Sequence, residues 1–354
     1  MNYNLCKYIS SRGFIYLSDI HSNNPITNEK NINNYLDVNN LQNINNVKNT
    51  YIIHLCLINL PNIFKILNNI INNLKKNKKI NKDNNIIFNY ILIINDGYFT
   101  FPDDMKNKLI FNLLINDNKC KHIFAQNCSI NKNNKNNKIT QIPLGLDYHT
   151  LNLISCKNIN ENININENIN INENININEN INNHDWGNYS SPIDQEKELI
   201  QITKLGKPFW ERNNKVYSNM HFQLQTRYAY DRINAINTIN KNLIDYEKKF
   251  INRNMSWKNQ INYTFIISPK GNGVDCHRTW EALILGCIPI VSSSFLNPLF
   301  DNLPVWIIND WKEINIINMN KIINQFKENH LNGKYNYNKL YITYWNKLIK
   351  SYIL

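Results

Sequence analysis

Arginine and glycine are scarce in this chain, paired cysteines are missing, and no long apolar run occurs. Each lack excludes something. Without a stretch of about 18 apolar residues there is no candidate membrane-spanning helix. The opening "MNYNLCKYISSRGFIYLSDI" has no basic start followed by a clean apolar core, so the expectation is a soluble, cytoplasmic protein with no signal peptide and no transmembrane segment. The seven cysteines, an odd number with no C-x-x-C pair, exclude a disulfide framework or a zinc ribbon and point to free thiols in a reducing compartment.

What fills the chain instead is Asn, at 76 of 354 positions, with Ile and Lys close behind. Lys plus Arg number 39 against 27 Asp plus Glu, a net charge of +12. The lysines are dispersed, and clusters such as "NLKKNKKINK" read as solvated faces. With no nucleic-acid module in view, no nucleic-acid partner is expected. Against that background the rare residues carry information. Five of the six arginines, at 212, 227, 232, 253 and 278, fall within one stretch, as do three of the nine glycines, at 271, 273 and 286. A chain this rich in Lys is expected to use Arg where a planar fork of donors is needed.

The pattern on both sides of the middle is α/β. "YIIHLCLIN", "IIFNYILIIND" and "HIFAQN" are short β-branched runs, and "NIFKILNNIINNLKK" between the first two has helical spacing. Downstream, helix and strand candidates alternate through "YTFIIS", a helix over 276–285, "CIPIVSS" and "PVWIIN", which implies a parallel sheet covered on both faces. Between the halves, residues 158–183 repeat ENININ with Glu at 161, 167, 173 and 179. This low-complexity insert is expected to be extended and dispensable. The expected domains are therefore 1–150, a low-complexity linker over 151–190, and 191–354.

One segment stands apart: "ISPKGNGVDCHRTWEALILGCIPIV", 267–291. A strand runs into a glycine turn, Asp275 is placed to cap the following helix, and Gly286 ends it. At 100° per residue, Cys276, Trp280, Leu283 and Ile284 share a packing side, while His277, Arg278 and Glu281 share another. Such a set suits an anionic ligand with hydroxyls. Backbone N–H groups of Gly271, Asn272 and Gly273 approach a phosphate, Lys270 and Arg278 neutralise it, and Glu281 accepts from a ribose or sugar. A plainer reading is a capped helix with a surface ion pair between Arg278 and Glu281. There is neither a third glycine for a dinucleotide fingerprint nor a G-x-x-x-x-G-K-S/T loop.

"YTFIISPKGNGVDCHRTWEALILGCIPIV" followed by "LPVWIINDW" resembles the C-terminal signature of exostosin-like glycosyltransferases, in particular soluble forms of algae, protists and giant viruses. Weaker echoes occur in "IPLGLDYHTL", "KPFWERNNKVYSNMHF" and "TRYAYDR". The resemblance implies a GT-B-like fold, two Rossmann-like domains facing a cleft, with the C-terminal one holding a nucleotide-sugar donor, UDP- or GDP-linked. The other domain would offer the acceptor, a glycan or glycoprotein. By that resemblance Arg278 contacts the donor diphosphate and Glu281 its ribose or sugar hydroxyls; Asp275 and His277 belong to the same binding set. Base candidates from across the cleft are Asp96, Asp147 and His149. No DxD triplet is present and no metal ligand set is assigned; Asp103, Asp104 and Asp96 leave a divalent metal open, and no other cofactor is required. The alternative to an enzyme is a non-catalytic carbohydrate- or nucleotide-binding protein that retains the donor pocket.

Overall fold

In the computed structural model the described residues are 3–21, 49–76, 88–130, 138–148 and 191–353. They form a mixed α/β protein with two wholly parallel sheets, one of four strands and one of five. The chain divides into two compact units. One comprises Met1–Ser10 with Gly145–Tyr341, the other Ser11–Leu144 with Ile342–Leu354.

The second of these units carries the four-stranded sheet, ordered β1 (Thr50–Leu55), β2 (Asn89–Ile94), β3 (Cys120–Gln126) and β4 (Ile139–Ile142). Helix α1 (Ile63–Lys76) follows β1, and α2 (Lys108–Asn116) follows β2. The spacing of Ile63, Ile66, Leu67 and Ile70 puts four buried side chains on one stripe of α1, packed with Tyr51, Ile53 and Leu55 of β1 and Leu92 and Ile94 of β2. Each such residue contributes roughly 1.5–3 kcal/mol of gross burial energy. Strand alternation sends Ile52, His54, His122 and Phe124 to the opposite face. That face is closed by the chain around Phe14, which meets Trp345 of α8 (Ile342–Lys350) edge to face, and by Tyr352, whose ring lies 3.8 Å from His122. The sequence suggested a stripe of Leu340, Tyr344, Leu348 and Tyr352 for this last helix. Leu340, in the turn before the helix, is buried, and within the helix the buried positions are Trp345 and Ile349.

The other unit holds the five-stranded sheet, in the order β6 (Ile244–Tyr246), β5 (Asn213–Ser218), β7 (Tyr263–Ile267), β8 (Ile288–Ser292) and β9 (Trp306–Ile308). Its helices are α3 (Pro192–Leu205), α4 (Ala229–Thr238), α5 (Arg253–Gln260), α6 (His277–Ile284) and α7 (Ile316–Leu331). The abundant Asn has a structural use here and in α2. Asn107, Asn252 and Asn315 are N-caps of α2, α5 and α7, each accepting from a first-turn N–H.

The first residues join this unit for a specific reason. The buried Glu196 carboxylate accepts from the Lys7 and Tyr8 N–H groups at 2.7 and 3.0 Å and from the Tyr148 hydroxyl at 2.7 Å. Ser10 pairs with Leu146, and Gly145, at φ +69, lies so close to Ile9 that a Cβ would meet its backbone at 2.7 Å. The units thus depart from the expected divisions at 150 and 191: residues 3–10 belong with the five-stranded sheet and 342–353 with the four-stranded one. The whole of the expected linker, 151–190, lies outside the described residues. Among the described residues no helix is long and apolar enough to cross a membrane.

Candidate functional site

Strand order in the five-stranded unit reverses between β5 and β7, because β5 leads outward to β6 while β7 leads the other way to β8 and β9. In an open parallel sheet such a switch point leaves a crevice at the carboxyl ends of the strands. The two loops bounding it run from Ser218 to Ala229 and from Ile267 to His277. Hydrogen bonds join them: the Tyr228 N–H donates to the Gly271 carbonyl at 2.9 Å, and Arg278 Nε donates to Asn219 Oδ1 at 3.1 Å.

Beside the crevice lies a cleft of about 650 Å³, lined among others by Arg227, Tyr228, Lys270, Ser292, Ser293 and Trp311. Asp231 organises its wall. One carboxylate oxygen accepts from the Lys270 N–H and the Ser292 hydroxyl, both at 2.8 Å, and the other accepts from the Trp311 indole at 3.0 Å. Three donors on three segments converge on one charge, which fixes the segments relative to each other.

Positive charge gathers on the same side. Arg232 is buried, and its guanidinium donates to the carbonyls of Lys270 and Gln223. Burial pushes its pKa down to about 10, and the charge of Arg278 pushes the same way. Burial also lowers His221, with Arg278 adding to the effect. Among the described residues no carboxylate comes within ion-pair distance of Arg232, Arg278 or Lys270. Asp231, near enough to act on the Arg232 charge and one of two carboxylates lining the cleft with Asp310, offsets this positive charge in part.

The residues singled out in the sequence are distributed unevenly around this cleft. Lys270 lines it directly, and its Nζ also reaches the Ser293 carbonyl at 3.5 Å. Gly271 and Gly273 close their turn by an N–H to carbonyl bond of 3.1 Å, and Asn272 Oδ1 accepts from the Arg227 N–H at 3.3 Å. Gly271 is required by close approach, since a Cβ there would lie 2.6 Å from Arg232 Nη2. Gly286, at φ +72, ends α6 as expected.

Asp275 does not cap α6. The N-cap is Cys276, and the buried Asp275 carboxylate accepts from the Trp280 indole at 2.9 and 3.0 Å. The three residues of the supposed chemical face diverge. His277 Nδ1 donates to the Gly145 carbonyl at 2.7 Å, Arg278 turns to Asn219, and Glu281 turns to Arg253, 3.9 Å from its Nε. Among the described residues Arg278 and Glu281 form no ion pair. Of the expected packing side of α6, Trp280, Leu283 and Ile284 are buried, while Cys276, the N-cap, is half-buried.

Of the base candidates, Asp147 is held by buried Arg253, whose Nη2 meets Oδ2 at 2.9 Å and whose Nη1 meets the Asp147 carbonyl at 2.6 Å. Asp96, in the four-stranded unit, follows the end of β2 with φ 63. Its Oδ2 has no hydrogen bond and lies 3.4 Å from Arg12 Nε. His149 lies outside the described residues. No group of three or more metal-type ligands gathers among the described residues.

Rarity of arginine turned out to mark structural forks. Arg212 ties the end of α6, donating to the Leu285 carbonyl and to Cys287 Sγ at 3.0 and 3.1 Å, and Arg253 and Arg232 are buried clamps. Asp231 and Trp311 lie within the quoted segments "TRYAYDR" and "LPVWIINDW", but no local pattern announced their pairing. Asn219 gave no signal at all in a chain so rich in Asn. The sequence matches no protein-family model and no curated protein.

Proposed function

We propose that this chain is a nucleotide-sugar-dependent glycosyltransferase whose donor lies in the cleft at the switch point of the five-stranded sheet. The observation that carries the reading is a cleft large enough for a nucleotide that Lys270 and Arg227 line, beside the switch point at which Arg278 turns to Asn219. In this reading the two units are those of a GT-B fold, the five-stranded one taking the donor and the four-stranded one a glycan or glycoprotein acceptor.

During transfer the bond between the anomeric carbon and a diphosphate oxygen breaks, and a bond from that carbon to the acceptor oxygen forms. The electron pair leaves on the diphosphate, where Arg278 and Lys270 stabilise it. The acceptor proton passes to a base. Asp96 fits that task better than Asp147, because its Oδ2 is free of hydrogen bonds while Asp147 is gripped at two points by Arg253. Glu281, drawn to Arg253, supports that grip and leaves the ribose to the polar wall around Ser292 and Ser293. Six described cysteines are free thiols, in keeping with work in a reducing, cytoplasmic setting.

Nucleotide release from a panel of UDP- and GDP-linked sugars tests the reading. Release that depends on acceptor and falls in Lys270→Ala supports it; binding of nucleotide with no release favours the non-catalytic alternative. That alternative has one observation on its side. Both described base candidates stand beside an arginine, Asp147 with Arg253 and Asp96 with Arg12.

A further inference from the structure

The cleft of the five-stranded unit changes in chemistry from one end to the other. Its lining includes residues that follow β7, β8 and β9, three adjacent strands in that order. Neighbouring strands lie about 4.8 Å apart, so the loop after β9 stands roughly 10 Å from the loop after β7. At the β7 end are two cations, Lys270 and Arg227, the latter tied to that loop by its N–H to Asn272. At the β9 end are Asn309 and Asp310, a carboxamide and a carboxylate. The separation is close to that between the phosphate of a nucleoside 5′-phosphate and the far edge of its base.

Both groups at the β9 end are oriented and open. Asp310 caps the short turn Trp311–Glu313, its Oδ1 accepting from the Lys312 N–H at 2.8 Å, and Glu313 answers by accepting from the Asn309 and Asp310 N–H groups. A carboxylate has further lone pairs to offer, and among the described residues no cation lies within ion-pair distance of this one. Both residues are exposed. An aromatic face stands beside them. Tyr230, in the first turn of α4, also lines the cleft and is 80% exposed. Its neighbour Asp231 accepts from the indole of Trp311, the neighbour of Asp310, at 3.0 Å, which joins the two walls at this end.

The four common bases differ in what they can offer such an end. A carboxylate takes two parallel donors best. Guanine presents them side by side as N1–H and the 2-amino group, with O6 next to them as an acceptor for a carboxamide N–H. Uracil has a single N–H between two carbonyls, which a carboxylate repels. Adenine and cytosine each set one amino group beside an unprotonated ring nitrogen.

We infer that this cleft selects a guanine nucleotide, with Asp310 accepting from N1–H and the 2-amino group, Asn309 donating to O6, and Tyr230 against the base. The inference rests on the proposed donor site and narrows its donor to a GDP-linked sugar.

The test is calorimetric titration of the full chain with GDP, UDP, ADP and inosine diphosphate, which is GDP without the 2-amino group. GDP should bind tightest. Inosine diphosphate should be weaker by about tenfold or more, the scale of one hydrogen bond to a charged group, and UDP and ADP weaker by at least as much. Asp310→Asn keeps a capping side chain, so the fold should persist by circular dichroism. This variant should lose about tenfold or more in GDP affinity and gain affinity for xanthosine diphosphate, whose carbonyl replaces the 2-amino group and accepts from the new amide. The guanine assignment is overturned, with the donor cleft left standing, if UDP or ADP binds as tightly as GDP, if inosine diphosphate matches GDP, or if Asp310→Asn binds all of them like the parent. Absence of binding by every nucleotide would overturn the cleft and the assignment together. GDP selectivity without sugar release from GDP-linked sugars would uphold the assignment and sink the transfer reaction.

Discussion

Arg253 and Asp147 are joined at two points, guanidinium to carboxylate at 2.9 Å and guanidinium to main-chain carbonyl at 2.6 Å, with both side chains largely buried. A buried charge pair of this kind is costly to break, because the surviving charge stays desolvated. Arg253→Met is therefore expected to lower unfolding free energy by about 3–5 kcal/mol, read from urea denaturation. Asp147→Asn should act in the same direction with a smaller loss. Asp96→Asn should instead leave stability nearly unchanged and slow turnover by about 10²–10⁴, the usual contribution of a positioned base. The reverse pattern, stable Asp147→Asn with lost turnover, would reassign the base.

Among the described residues Arg278 is bonded through Nε, to Asn219, which leaves the outer nitrogens of its fork for a diphosphate. Arg278→Lys keeps the charge and loses the fork. We expect the fold to persist, by circular dichroism, and turnover to fall by roughly tenfold to a thousandfold, the range for losing one preorganised donor to a developing charge. Wild-type turnover in this variant would remove Arg278 from the chemistry.

Gly271→Ala tests how tightly the glycine turn is packed on the basic cluster. The added methyl would sit 2.6 Å from Arg232 Nη2, and that guanidinium is buried and held by two carbonyls, so it has little room to move. A loss of about 1–3 kcal/mol is expected, together with weaker nucleotide binding. Both are measurable on one preparation, by urea midpoint and by titration.

His54 and His122 give the four-stranded unit a dependence on pH. Burial pushes both down to about 4 from an ordinary 6.5. Between those values the unfolded chain binds the proton and the folded chain does not, so stability is full above about 6.5 and is lost as pH falls towards 4. Each histidine contributes a slope of up to roughly 1.4 kcal/mol per pH unit. His54→Gln should remove about half of the combined slope between pH 6.5 and 5, measured as unfolding free energy against pH. An unchanged slope would show that His54 is already protonated in the folded state.

What the sequence determined by itself was local: the α/β alternation, the helical stripe of Ile63, Ile66, Leu67 and Ile70, the turn at Gly271 to Gly273, the end of α6 at Gly286. These follow from periodicity and from backbone limits on single residues, which neighbours in sequence are enough to express. Tertiary structure decided the rest. Asp275 met an indole instead of a helix terminus, His277, Arg278 and Glu281 parted to Gly145, Asn219 and Arg253, and Asp231 gathered donors from three segments. The physical reason is that a polar side chain's partner is set by whichever complementary group the fold delivers within about 3 Å. A helical projection shows which residues share a face; it is silent on what that face meets.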